Sequence, residues 1–260
     1  GLRVNSLRAS TDDVLGALQA AGLEIEECGL PGSLLLTGGG GGVGALPGFG
    51  EGLWTVQDIA AQLVGVLSAP AAGEVVLELC AAPGGKSTHL AELMGDAGVI
   101  LSVDKHAKKL PLIRSNCERL GITSVSAHAA DGTDAAALKM LLAGAAGGRG
   151  QADLVVLDAP CSGSGTLRRN PEHRYEDGSR LGELTALQDR LLDAAAECVR
   201  PGGALVYSVC SPLVAEGCGR LGSFLERHPT FSCPPIDAAN LEAYVADAPV
   251  LGGARRGVRS

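Results

Sequence analysis

Apolar and polar positions along this chain fall into blocks of two kinds. Short apolar runs at 75–79, 99–103, 125–127, 154–157 and 204–209 have the length and composition of strands buried on both faces. Between them lie longer stretches in which apolar residues recur at helical spacing. Ile59, Leu63, Val64 and Leu67 share one face ahead of the first strand, and Leu90 and Leu93 share another after it. Thr55 is expected to cap the first of these helices, with Asp58 in its opening turn. Further helices are expected over 107–120, ended by Gly121, and over 134–142, 184–199 and 222–228. Phe231 is expected to open a sixth strand. Strand and helix alternate five times, which predicts a doubly wound α/β domain, mainly parallel, with helices on both faces of the sheet.

The pattern before residue 46 is different. Leu2 to Asn5 reads as a short strand, Ser10 to Asp13 as a helix cap, 14–21 as an amphipathic helix and Leu34 to Leu36 as a second strand. This predicts a small α+β module over 1–45, too small to stand alone, ahead of the α/β domain over 46–260. Five consecutive glycines, Gly38 to Gly42, make a flexible loop, and 46–54 is rich in turn residues.

Composition narrows the class. A length of 260 residues suits one α/β core plus a small module, and 3% aromatic residues make that core mostly aliphatic. A net charge of −8 argues against a general nucleic-acid coat, though not against a local basic patch. The eight cysteines contain no CxxC pair, so no zinc knuckle and no metal are expected. Reduced thiols in an intracellular compartment are the reading, with the cytoplasm first and an organelle or the nucleolus left open. A removed targeting peptide would leave no trace. No apolar run is long enough to cross a membrane. A monomer is expected.

The central stretch is VVLELCAAPGGKSTHLAEL, from Val75 to Leu93. A strand, a turn of small residues and a helix start place backbone N–H groups against a bound group. The turn matches neither GxGxxG nor the P-loop, whose first glycine would fall at Cys80. A tight structural turn is the alternative. Asp104, about twenty residues on, suits bonding to ribose hydroxyls or, equally, a helix cap. Ligands of doubly wound sheets bind beyond the carboxyl ends of the strands. Cys80, Asp104, Asp131, Asp158, Cys161 and Cys210 all occupy such ends, which favours a site over chance. Arg168, Arg169 and Arg174, near His173, form the densest basic stretch of the domain, a candidate RNA contact or else a solvated loop. Cys117 and Cys198 fall on expected helices and read as core.

Three motifs in order, Cys80-Ala81-Ala82-Pro83-Gly84-Gly85-Lys86, Asp158-Ala159-Pro160-Cys161-Ser162-Gly163 and Tyr207-Ser208-Val209-Cys210-Ser211, resemble the Sun/Fmu-type RNA (cytosine-5)-methyltransferases. Leu2-Arg3-Val4-Asn5 and Leu46-Pro47-Gly48-Phe49 extend the resemblance over nearly the whole chain. It implies a Rossmann-like class I methyltransferase sheet, S-adenosylmethionine as cofactor and an RNA substrate, ribosomal RNA ahead of transfer RNA. It implies that Cys80 to Lys86 forms the cofactor loop, that Asp104 holds the ribose and that Asp131 lies near the adenine. Asp158 would sit beside the methyl donor and the base, Cys210 would be the nucleophile and Cys161 the second cysteine that releases product. The first module would be a small RNA-binding element. Two further readings stay open: an RNA-binding or assembly protein that keeps the fold without turnover, and a methyltransferase acting on protein or small molecules.

The chain departs from the family pattern at three places. Val209 stands where the family has Thr, so one hydroxyl is expected to be missing. Glu216-Gly217-Cys218 replaces Glu-Asn-Glu, which weakens a helix start. The sequence ends at Arg255-Arg256-Gly257-Val258-Arg259-Ser260 without an Asp-Gly-Phe-Phe-like strand. A C-terminal truncation that leaves the fifth strand's edge open is therefore expected.

Overall fold

A computed structural model describes residues 1–39, 41–145, 148, 150–175, 178–234 and 258–259. Gly40 of the glycine run, any strand continuing past Pro234, and Arg255 to Gly257 with Ser260 lie outside the described residues.

The first module is a four-stranded antiparallel sheet in the order β2-β3-β1-β4, formed by β1 (Leu2–Val4), β2 (Glu24–Glu27), β3 (Ser33–Gly38) and β4 (Trp54–Val56). Helix α1 (Thr11–Ala20) starts where Ser10 accepts a hydrogen bond from the Asp13 N–H, and it buries Val14 and Leu18. These pack with Leu2, Val4, Leu34 and Trp54 into a core of their own. Two of the strands differ from expectation. Glu24, Glu26 and Glu27 mask β2, where Ile25 alone is buried. Thr55 lies in β4 opposite Arg3, and Asp58 caps helix α2 (Ile59–Ser68) by accepting from the Ala60 N–H. The cap is three residues later than expected because edge pairing with β1 holds Thr55 extended.

The second sheet has the order β10-β9-β8-β5-β6-β7. Its strands β5 (Val75–Leu79), β6 (Val99–Asp104), β7 (Val125–Ala129), β8 (Ala152–Asp158) and β9 (Val199–Ser208) are parallel. Helices α3 (Gly85–Leu93), α4 (Leu110–Leu120), α5 (Ala135–Gly144), α6 (Leu181–Cys198) and α7 (Cys218–Arg227) cover its faces. Leu77, Leu79, Leu101, Val103, Val155 and Leu157 pack on one side with Leu138, Leu191 and Phe224. Val76, Ile100, Leu154 and Val156 pack on the other with Leu90, Ile113 and Cys117. Burial on both faces is why β5 and β6 read as near-continuous apolar runs, interrupted only at Glu78 and Ser102, which meet each other. The chain order reverses between β5 and β8, and ligands of such sheets sit at that reversal.

At the far edge, β10 (Val258–Arg259) pairs antiparallel with β9, Val258 opposite Leu205 and Arg259 opposite Ala204. The edge expected to be open is therefore paired over those two residues.

Arg3 joins the two sheets. It alternates with the inward-facing Leu2 and Val4 and is 1% exposed on the opposite face of β1. Its guanidinium donates to Glu92 at 2.7 and 2.9 Å, to Thr88 Oγ1 at 3.0 Å and to the Gly85 carbonyl at 2.8 Å, with Gln57 also in contact. The small module is thereby fastened to the helix that follows the Cys80–Lys86 turn.

Candidate active site

The turn after β5 is shaped by its backbone. Cys80 has φ +59° and Gly84 has φ +98°. A Cβ at Gly84 would also lie 3.1 Å from the Ile113 Cα, so two constraints call for glycine there. Helix α3 starts at the next residue, with Lys86 in its first turn. Asp104, buried at the end of β6, accepts from the Ala82 N–H at 3.2 Å and the His106 N–H at 2.8 Å. It thus orders the turn ahead of Ala107–Lys109 and also grips the loop after β5. Asp131 accepts from Lys105 Nζ at 2.8 Å and from the Thr133 N–H and O–H at 2.9 and 2.7 Å. The Lys105 hydrogen bond, aided by Thr133, brings its carboxyl down to about 2.

Cys80 sits among these groups. Burial, then the carboxylates of Asp104, Asp158, Glu78 and Asp131, push its thiol up to about 12. It is a neutral thiol in a negative field. Beneath α3, Glu78 is fully enclosed with Ser87 and Ser102, and burial raises its carboxyl to about 7.

Across the strand reversal, Lys86 Nζ donates to Asp158 Oδ2 at 2.6 Å, and Ser208 Oγ donates to Asp158 Oδ1 at 2.8 Å. The hydroxyl on Asp158 is thus supplied one position before Val209, whose side chain packs against the core. Cys161, on the loop after β8, and Cys210, on the loop after β9, lie with their sulfurs 3.2 Å apart. The Gly165 N–H donates to the Cys210 carbonyl at 3.0 Å, locking one loop to the other. Either thiol could donate across this contact; with Cys161 as the donor, the bond brings Cys210 down to about 7 against the opposing effects of burial and Asp158. The same bond, with burial, moves Cys161 upward. One thiol is poised to ionise and its neighbour to keep its proton. Cys117 and Cys198 are buried and raised to about 11, consistent with core roles.

The basic stretch follows the Cys161 loop through the short turns Ser164–Thr166 and Pro171–Tyr175. Arg168, Arg169 and Arg174 are exposed. Arg169 lies 3.5 Å from Asp58, so part of its charge is engaged at the cap of α2. Tyr175 beside Arg174 is 83% exposed.

Sequence reasoning passed over Arg3, Gln57, Glu92, Gln188 and Glu216. Arg3 left one signal, a charge between two inward apolar residues of a strand. Glu216 figured only as a departure from a motif. Its neighbour Gly217 caps α7 without a side-chain bond, as the altered motif implies.

Residues 65–248 match the sequence profile described as 16S rRNA methyltransferase RsmB/F. The chain belongs to this family. Its relatives include the ribosomal RNA small subunit methyltransferase B of Erwinia tasmaniensis, 40% identical over 228 residues, which are 87% of this chain and 51% of that protein. The chain spans about half the length of the curated relatives it matches. Among solved structures, a methyltransferase homolog protein from Pyrococcus horikoshii is 30% identical with a TM-score of 0.75, over 91% of this chain and 72% of that one. NSun6 from Pyrococcus horikoshii, solved with SFG, shares the fold at a TM-score of 0.81 and 19% identity, over 99% of this chain and 88% of that one. The expected class I methyltransferase architecture is the one found. Among the described residues of this RsmB/F-family chain, no group of three or more His, Cys, Asp or Glu could hold a metal ion, and no helix is long and apolar enough to cross a membrane.

Proposed function

We propose that this chain transfers a methyl group from S-adenosylmethionine to carbon-5 of a cytosine in RNA, with ribosomal RNA as the substrate class. The observation that carries the reading is the pair of sulfurs 3.2 Å apart beside the Lys86–Asp158 pair. Methyl transfer to a nitrogen or oxygen needs no thiol nucleophile. Carbon-5 of cytosine does, because the ring carbon is a poor nucleophile until a thiolate has added next to it.

The residues fit the cofactor. The acidic groups that raise Cys80, Asp104 first among them, make a negative field, which suits a sulfonium cation. Asp104 stands at the second strand's end for the ribose, Asp131 at the third for the adenine side, and Asp158 beside the reacting centre. Cys80, Ala81, Ala82, Pro83, Gly84, Gly85 and Lys86 would form the wall of the cofactor cleft after β5, with Gly84 kept bare by the close approach of Ile113. S-adenosylmethionine would supply the electrophilic methyl, its sulfur–methyl bond breaking to leave the neutral thioether.

The chain's own groups do the rest. Cys210, its thiol held below the ordinary value by the hydrogen bond with Cys161, is the readier of the two to ionise and adds as thiolate through sulfur to carbon-6. The displaced ring electrons move toward nitrogen-3, which takes a proton from the Lys86 ammonium that Asp158 holds at 2.6 Å. Carbon-5 is then enamine-like and can take the methyl. For release, the carbon-5 proton passes to Cys161 as the Cys161 proton passes to the departing Cys210 sulfur. The electron pair of the broken C–H bond restores the ring double bond, and the proton lent to nitrogen-3 returns to Lys86. Access requires the base to leave its stack. Labelled S-adenosylmethionine with ribosomal RNA lacking its methyl groups is expected to give labelled RNA. Label that enters added protein only, or no label at all, would contradict the proposal.

Asp104→Ala is expected to weaken S-adenosylmethionine binding by about 1–3 kcal/mol, the scale for losing charge-assisted hydrogen bonds. Calorimetry checks this, and unchanged affinity removes Asp104 from the site. Reversing the charge of Arg168 and Arg174 is expected to weaken RNA binding and to lower the salt slope by about one for each phosphate no longer neutralised. Affinity and slope that both stay constant would make this stretch a solvated loop.

A further inference from the structure

Glu216 lies on the loop after Cys210 and is completely buried. Its Oε1 accepts from the Ser162 N–H at 2.8 Å and from Gln188 Nε2 at 3.1 Å, and its Oε2 accepts from the Ser162 hydroxyl at 2.6 Å. Its backbone carbonyl accepts from the Tyr207 hydroxyl at 2.6 Å, which ties the loop back to β9. Gln188, equally buried on α6, also donates to the Pro160 carbonyl at 2.9 Å. Pro160 and Ser162 flank Cys161, so both neighbours of that cysteine are tethered to one Gln188–Glu216 pair. On the facing side, Ser211, the residue after Cys210, lies 3.3 Å from the Ser162 hydroxyl and 3.0 Å from that of Ser164. Burial works against the Glu216 carboxylate, but hydrogen bonds from Ser162, Ser211 and Gln188 outweigh it and hold the group below its ordinary value. It is therefore an ionised acceptor, able to take several donors at once.

We infer that Glu216 is a positioning residue: through Ser162 it holds the Cys161 thiol at hydrogen-bonding distance from Cys210. The inference rests on the cytosine-5 reading for its meaning in catalysis, but its geometry can be tested without RNA. An apolar side chain of the same length leaves the Ser162 and Gln188 donors unanswered, and the Cys161 loop drifts from Cys210. A glutamine of the same shape still accepts through its oxygen and keeps the loop in place.

The test follows iodoacetamide alkylation of Cys210 against pH by peptide mass spectrometry, in the whole chain. The charged groups facing Cys210, Asp158 and Lys86, are left intact in every variant. The wild type and Glu216→Gln are expected to share a midpoint near pH 7. Glu216→Met is expected to shift it upward by about one unit or more, toward the ordinary thiol value of about 8.5. Gln188→Met, which cuts the tether from the α6 side, is expected to shift it in the same direction and serves where Glu216→Met does not fold. With RNA and cofactor present, Glu216→Met should accumulate a covalent RNA adduct that Glu216→Gln clears. A folded Glu216→Met or Gln188→Met with the wild-type alkylation profile overturns the inference. Absence of methylation and adduct in every protein, the wild type included, counts instead against the cytosine-5 reading and leaves the alkylation result to judge Glu216.

Discussion

Cys210→Ala is expected to abolish methylation, by more than about a thousandfold, and to leave no covalent protein–RNA complex, as befits loss of a nucleophile that acts as part of a unit. Cys161→Ala is expected to do something different. The adduct should still form, then persist through denaturing electrophoresis, because the group proposed to exchange protons during release is gone. The pH dependence separates the two roles further. Cys210 is lowered to about 7, so wild-type attack should fall as the pH drops below that value and the thiolate is protonated. The leading cause of that lowering is the hydrogen bond from Cys161. In Cys161→Ala the midpoint for adduct formation should therefore move to higher pH. Adducts with Cys210→Ala and none with Cys161→Ala would reverse the assignment.

The second large effect is on stability. Arg3→Ala is expected to cost about 3–5 kcal/mol, because it strands Glu92 in a site where the partner side chains are 1% and 3% exposed. Burial already raises the Glu92 carboxyl despite Arg3, so the unpaired carboxylate should protonate rather than stay charged. Replacing both partners, Arg3→Met with Glu92→Leu, should recover much of the loss, since the cost lies in the orphaned charge more than in the pair. Urea unfolding of these two variants beside the wild type checks this. A loss under about 1 kcal/mol for Arg3→Ala would show that the pair carries little of the junction. Because Arg3 also donates to the Gly85 carbonyl, Arg3→Ala should loosen the cofactor loop and weaken S-adenosylmethionine binding as well.

The sequence made some of this legible and hid the rest for physical reasons. Strands β5 and β6 could be read almost to the residue, because apolar runs buried on both faces end where turn residues begin. Asp104, Asp131, Asp158, Cys161 and Cys210 could be placed near one another without knowing any contact, since a parallel sheet collects the residues at its strands' carboxyl ends. Edge strand β2 could not be read, because three of its four residues are glutamates and pairing with β3, not burial, keeps it extended. Strand β4 was hidden by a Thr and an Asp that also fit a helix start. The tethers were the least legible. That Glu216 faces Ser162, 54 positions away, or that Arg3 meets Glu92, 89 positions away, depends on how whole elements dock. No local pattern encodes that.

The most direct test of the central claim is the identity of the methylated nucleoside. Ribosomal RNA incubated with this chain and S-adenosylmethionine, digested to nucleosides and separated by mass spectrometry, is expected to contain new 5-methylcytidine, and none after Cys210→Ala. A new methyl on a base nitrogen or a ribose oxygen, or 5-methylcytidine that survives Cys210→Ala undiminished, would contradict it.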